Sequence, residues 1–263
     1  MIWRIYTAFT VELGKALRRK TTYAAPLLVV AAVALTLAYE PISRDGVSDY
    51  AFIAYVTPLA LDSVGLILLL LFSASLVSPE LGSGNIRQIL VRPLLRHEYL
   101  IAKFLLGCTY ATVLTVAVGV LSWAAAAGFG EVRGVTFGGE LVYSWWEMLR
   151  AYLYGAALGL LPLSAAVAFA LFISTVTRST AAAMTLVIGL WIVVDLLKYR
   201  FGVARFLFSS YIEQVWQVFI LRCDGINESW MPMVFYCAGS SIGACVLFLI
   251  LAIWALDRRD LSA

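Results

Sequence analysis

Apolar residues fall along this chain in long, nearly charge-free blocks, without the two-residue alternation of strands or the narrow stripe of soluble amphipathic helices. Thr21–Tyr39, Phe104–Gly130, Ala151–Thr177 and Ser229–Leu256 contain no charged side chain, and Tyr50–Pro79 is broken only by Asp62. A shorter run, Ser179–Val194, continues past Asp195 to Leu197. A helix crosses the hydrocarbon core of a bilayer with about 20 residues. The pattern therefore predicts an all-α polytopic membrane protein with six spans, near 23–39, 54–78, 104–128, 154–176, 181–197 and 233–256. No composition shift divides the chain, and 1–263 reads as a single membrane domain.

Composition agrees: 62% of residues are hydrophobic and 13% charged, against about 25% charged in soluble domains. The net charge of +3 matters less than its placement. With six spans both termini share one side. If that side is inner, it holds Arg4, Lys15, Arg18, Arg19, Lys20, Arg87, Arg92, Arg96, Lys103, Arg178, Arg258 and Arg259, twelve of the nineteen Lys and Arg. The outer segments hold the other seven. The positive-inside rule then predicts cytoplasmic termini, and a plasma membrane location, bacterial inner or archaeal, is expected.

The first 20 residues do not read as a cleavable signal. Ile2, Tyr6, Phe9, Leu13 and Leu17 share one side of a helical wheel, and Arg4, Lys15 and Arg18 the other. This predicts an amphipathic helix lying in the cytoplasmic headgroup layer, as an anchor, a partner contact, or both. At the other face, Tyr143, Trp145, Trp146, Tyr152 and Tyr154 read as an interfacial aromatic belt. Asp195 and Lys198 are spaced to neutralise each other. The segment 199–230 is too interrupted to span and is expected to form short helices dipping into the outer leaflet.

Chemistry is sparse. "GSGN" (Gly82–Asn85) lacks the GK[ST] ending of a phosphate loop, and HExxH and GxSxG are missing. One histidine and four cysteines without CxxC spacing make no metal site. No catalytic residue, metal, bound cofactor or nucleic-acid surface is expected. Asp62, Ser73 and Ser75 are candidates for lining a pathway or for structural hydrogen bonds within the second span.

The remaining signal is "SPELGSGNIRQILVRPLLRHEYLIAK", Ser78–Lys103, a basic interruption between two apolar runs. Pro79 closes the second span, and Gly82 and Gly84 permit a change of direction. Asn85 is a plausible N-cap for "NIRQILVR", in which Ile86, Ile89 and Leu90 share a face, Arg87 and Arg92 point elsewhere, and Pro93 ends the helix. Either an ordinary basic loop or a docking helix for a soluble partner fits this pattern.

The stretch resembles the signature of ABC-2 type transporter permeases at Glu80, Gly84, Ile89, Leu90, Pro93, Arg96 and Lys103, with Tyr99 also fitting. The resemblance extends to the six-span topology, the amphipathic start and the charged tail "DRRDLSA". It implies the transmembrane half of a type V-like exporter, without an ATPase domain. Two copies of a separate ATPase, which would hold ATP and Mg, and a second permease copy, identical or homologous, are the implied partners. In that reading 80–99 is the cytoplasmic coupling segment, with Asn85–Arg92 as its docking helix, and 199–230 holds re-entrant-type helices. A lipid-like, amphipathic or peptide cargo suits the greasy spans. A mechanotransmitting or assembly-factor subunit acting on another membrane or periplasmic protein is the alternative.

Overall fold

The structure is a computed structural model that describes residues 2–39, 50–83, 95–130, 132, 134–137 and 140–258. Helices dominate it. An amphipathic helix α1 (Ile2–Arg18) is followed by α2 (Lys20–Tyr39), and α1 and α2 meet at a bend of 72°. Next come α3 (Tyr50–Pro58), a π-helical segment (Leu59–Gly65), α4 (Leu66–Ala74) and the short α5 (Ser78–Gly82). Two long helices, α6 (Arg96–Phe129) and α7 (Trp145–Val176), flank a β-hairpin. Then follow α8 (Thr180–Arg200), a 3-10 turn (Ala204–Phe206), α9 (Ser210–Cys223) and α10 (Met231–Asp257).

Five helical stretches are long and apolar enough to cross a membrane: Tyr50–Gly82, Arg96–Phe129, Trp145–Val176, Thr180–Arg200 and Met231–Asp257. Their outward faces confirm the solvent. Leu186, Leu190 and Val193 on α8, and Phe235, Ile242 and Ile250 on α10, are all exposed. A helix that is apolar on every side belongs in lipid or a buried core. The chain is thus of the all-helical, polytopic membrane class. Each of these helices overshoots the span expected from hydropathy, because charged and aromatic flanks continue the helix beyond the apolar run.

The core forms around α7. It packs most extensively on α10 and also meets α4, α6, α8 and α9. Small residues make this contact dense: Ala165, Ala166, Ala168 and Ala170 are fully buried, and α7 runs unbroken through Pro162. At Gly107 of α6 an added Cβ would lie 2.3 Å from Val167 Cγ1, so the α6–α7 approach requires glycine. The α2 face Val29, Val33 and Leu37 packs into the same core, and Tyr110 Oη donates to Thr22 O at 3.0 Å.

Two elements depart from the sequence expectations. The connection before α7 contains an antiparallel hairpin, β1 (Gly134–Phe137) with β2 (Glu140–Ser144), so the fold carries a small sheet. Gly134, at φ 141°, occupies backbone space open to glycine. Ser144 then caps α7: its backbone N–H donates to Glu147 Oε2 at 2.8 Å, and its Oγ accepts from Glu147 N at 3.4 Å. Gly82 also lies against a neighbouring turn. A Cβ there would lie 2.4 Å from Arg178 O, so glycine lets the end of α5 close on the α7–α8 turn. Within 199–230, where short helices were expected, lie the 3-10 turn and α9, whose Ile212, Val215, Trp216 and Phe219 are buried in a helix packed on α7 and α3.

Glycine replacements should separate close contact from open helix. Gly107→Ala is expected to lower stability by about 1–3 kcal/mol through overpacking. Gly128, with nothing within 4 Å of an added Cβ, should be neutral or gain up to about 1 kcal/mol as alanine. Thermal melts in one detergent would check both signs.

Candidate functional site

The first of the two transmembrane stretches joined by 84–94 does not end smoothly. α4 stops at Ala74, and α5 begins at Ser78 with Pro79 in its first turn. Proline lacks an N–H and cannot continue the ladder to the carbonyl four residues back. Glu80 N bonds instead to Val77 O at 3.1 Å, which leaves Leu76 O free for another donor. Orphaned backbone groups buried at a helix break need partners.

Two side chains from neighbouring helices supply them. Ser174 Oγ of α7 accepts from Val77 N at 3.1 Å and Ser78 N at 2.9 Å, and donates to Ala74 O at 2.6 Å. Lys103 Nζ of α6 donates to Leu76 O at 2.7 Å. Every hydrogen-bonding capacity of the Ser174 hydroxyl is used.

Lys103 is 1% exposed, and a buried ammonium is sustained only when paired and hydrogen-bonded. Its Nζ lies 2.8 Å from Glu12 Oε2 on α1 and 3.0 Å from Glu80 Oε2 on α5. With Leu76 O, these give its three N–H groups three acceptors. Lys15, one turn beyond Glu12, closes the circuit at 2.5 Å from Glu12 Oε1 and 3.5 Å from Glu80 Oε1. Two lysines and two glutamates thus alternate around a neutral ring. Tyr99 Oη donates to Glu80 Oε2, and the Tyr99 ring lies 5.0 Å from Lys103 Nζ. Glu12, Glu80, Tyr99 and Lys103 are all buried, whereas the Lys15 side chain is 42% exposed, so the ring is open to solvent on one edge.

Burial raises the cost of ionising Glu12, but Lys103 and then Lys15 outweigh it and hold its carboxyl below the ordinary value of 4.5. For Lys15 burial acts downward, while Glu12 and Glu80 raise its pKa overall.

A small apolar cluster surrounds the ring: Ala16 of α1, Leu76, Val77, Tyr99, Leu100, Leu171, and Ala252 and Leu256 of α10, with Phe9 and Leu13 packed against it. Part of the wheel face expected to meet lipid therefore meets protein, while Tyr6 and Leu17 remain exposed. Arg96, at the start of α6, donates to Leu256 O at 2.8 Å and Asp257 O at 3.0 Å. It satisfies C-terminal carbonyls of α10 and so links the end of that helix to the stem of the same loop.

Of the residues singled out by sequence, Glu80, Arg96 and Lys103 converge here. Gly84, Asn85, Ile86, Arg87, Ile89, Leu90, Arg92 and Pro93 lie outside the described residues. Ser73 is fully buried within the chain, near where α6 presents Gly107. Ser75 Oγ, just past the end of α4, donates back to Phe72 O at 2.7 Å. Asp62 sits half-buried in the π-helical segment that follows Pro58. Asp195 and Lys198 pair at 2.5 Å as their spacing implied. Among the described residues no group of His, Cys, Asp or Glu could hold a metal.

Glu12 and Ser174 were not picked out by sequence, and Lys15 was placed only on the basic face of the first helix. Glu12 had a signal: it is a carboxylate with Phe9 three residues before it and Ala16 four after, at the edge of the apolar face. Ser174 had none, since serine is common in membrane helices.

Residues 25–262 match the family described as protein of unknown function (DUF2705). No curated protein matches the chain.

Removing the lysine charge should be the most damaging change at this site. Lys103→Met is expected to destabilise by about 3–5 kcal/mol, because two buried carboxylates lose their buried countercharge and keep only the half-exposed Lys15; detergent melting curves would measure it. Acidification gives an independent check. The folded carboxyl of Glu12 titrates below its unfolded value, so its stabilisation is complete above pH 4.5 and is lost as pH falls through the lower folded value. Glu12→Gln should be less stable at neutral pH and lose less on acidification.

Proposed function

The chain belongs to the DUF2705 family of proteins of unknown function, and from the resemblance of Ser78–Lys103 to the ABC-2 signature we propose that it is the membrane-spanning permease subunit of an ABC-2 type exporter, driven by a separate ATPase. One observation carries the reading. The buried ring of Glu12, Lys15, Glu80 and Lys103 fastens the amphipathic helix α1 to both stems of the 84–94 loop. A force applied to that loop by a soluble partner would move α1, α4–α5 and α6 together.

In this proposal α2 is the first of six spans, and the ring marks the cytoplasmic end, with both termini on that side. The basic segment Asn85–Arg92 docks on the ATPase, which supplies ATP, Mg and hydrolysis. A second permease copy completes the transporter, and α9, about 21 Å long at 1.5 Å per residue, is the re-entrant-type element at the outer face. Coupling requires that the ATPase bind the two conformations of the permease with different affinity, since equal binding shifts no equilibrium. The cargo class that fits the apolar spans is lipid-like, amphipathic or peptidic.

A tagged chain solubilised gently from its native membrane, with nucleotide present, should retain a soluble ATPase in stoichiometric amount. Arg87→Glu and Ile89→Glu should each lower that recovery about tenfold while membrane insertion is unchanged. Full recovery with both variants would contradict the docking assignment.

A further inference from the structure

The opposite end of the bundle carries a second group of charged side chains, whose arginines form no ion pair among the described residues. Ser174 and Arg150 lie on the same helix, 24 residues apart, which places Arg150 about 36 Å from the ring end. That distance matches a hydrocarbon core of about 30 Å with its margins. There an open cavity of about 600 Å³ is lined by Arg150, Tyr154, Arg222, Glu228, Trp230 and Met231, among others.

Its electrostatics favour an anion. Arg222, in the last turn of α9, has a buried Nε with no hydrogen-bond partner among the described residues, and its guanidinium lies 5.8 Å from the Tyr143 ring. Arg150 is exposed and stacks 5.1 Å from the Trp146 ring. Neither guanidinium is in an ion pair among the described residues. The start of α10 at Trp230 and Met231 adds the positive end of a 27-residue helix. Glu228 is the one carboxylate on the lining, and Glu147, held by Ser144 at the start of α7, lies within electrostatic reach of both arginines.

Its walls favour an amphiphile. Tyr154 and Trp230 pack edge to face at 5.0 Å, Ala151 lies beside them, and Met231 is largely exposed at the rim. Trp145 and Trp146, also half-exposed, continue this aromatic zone, and such belts lie at headgroup depth. A guanidinium pair matches phosphate oxygens with planar, directional donors.

We propose that this cavity binds the phosphate headgroup of an anionic membrane lipid, with Arg150 and Arg222 on the phosphate and Tyr154 and Trp230 against the glycerol and upper acyl region. The site does not depend on the ATPase reading: it concerns the other end of the molecule and requires no partner.

Native mass spectrometry of the purified chain in neutral detergent tests it, with phosphatidylglycerol, phosphatidylcholine and soluble glycerol phosphate as probes. The expected result is retention of phosphatidylglycerol with at least tenfold preference over phosphatidylcholine and no comparable retention of glycerol phosphate. Arg150→Gln, a change at an exposed position, should cut the preference at least threefold. Arg150→Gln with Arg222→Gln should abolish it, and Glu228→Gln should raise phosphatidylglycerol retention. Equal retention of the two lipids by the unaltered chain would overturn the proposal, as would an unchanged preference in Arg150→Gln. Retention of glycerol phosphate as strong as that of the lipid would overturn the assignment of a lipid ligand.

Discussion

A single buried ammonium carries three obligations, and the cytoplasm-facing end proposed for this bundle is arranged to meet them. Lys103 needs an acceptor for each of its N–H groups and countercharge for its cation. Glu12 supplies these from α1, and Glu80 and Leu76 O from the break around Pro79. The third acceptor exists because Pro79 disrupts the helix and frees a carbonyl. The same break exposes Val77 N, Ser78 N and Ala74 O, which Ser174 satisfies from α7. One irregularity in the backbone thus recruits α1, α6 and α7 to one point. Charges taken out of water bring little net stability when paired, but their loss singly is costly. The ring therefore acts mainly as a geometric constraint: α1 must lie where Glu12 can reach Lys103.

The middle of the bundle follows a different rule. Between the ends, polar side chains mostly turn back on their own helices, as Thr112, Thr115 and Ser164 do. Helix approach is set by small residues, above all Gly107 and the buried alanines of α7. At the far end the aromatic residues take over: Tyr152 contacts Trp123, Trp216 and Phe219, joining α6, α7 and α9. A neutral, tightly paired charge ring lies at one end, and arginines without an ion pair among the described residues lie at the other.

The large features were legible because bilayer crossing is a strong one-dimensional constraint. Charge-free length located the five helices long enough to cross, and the Asp195–Lys198 spacing foretold their contact. Resemblance and composition also brought Glu80, Arg96 and Lys103 into view, although not what they touch. Lys103 reads as a residue near the headgroups, and only the position of α1 makes it a buried hub. Arg96, grouped with a docking segment, binds carbonyls at the end of α10. The hairpin was missed because "GVTF" and "ELVYS" are too short for an alternation pattern to stand out, and "SWWE" reads as an aromatic belt as readily as a capping box. Glu12 was hidden by a wheel that sorted residues into apolar and basic faces and left the lone acid unassigned.

The central claim is that α1 and the loop stems form one mechanical unit through Lys103. Hydrogen–deuterium exchange of the detergent-solubilised chain, comparing the unaltered protein with Lys103→Met, tests it most directly. The account predicts that backbone amides of α1 and of residues 76–83 lose protection together, while α7 and α10 change little. Unchanged protection of α1 in the variant, or loss confined to residues next to Lys103, would contradict it.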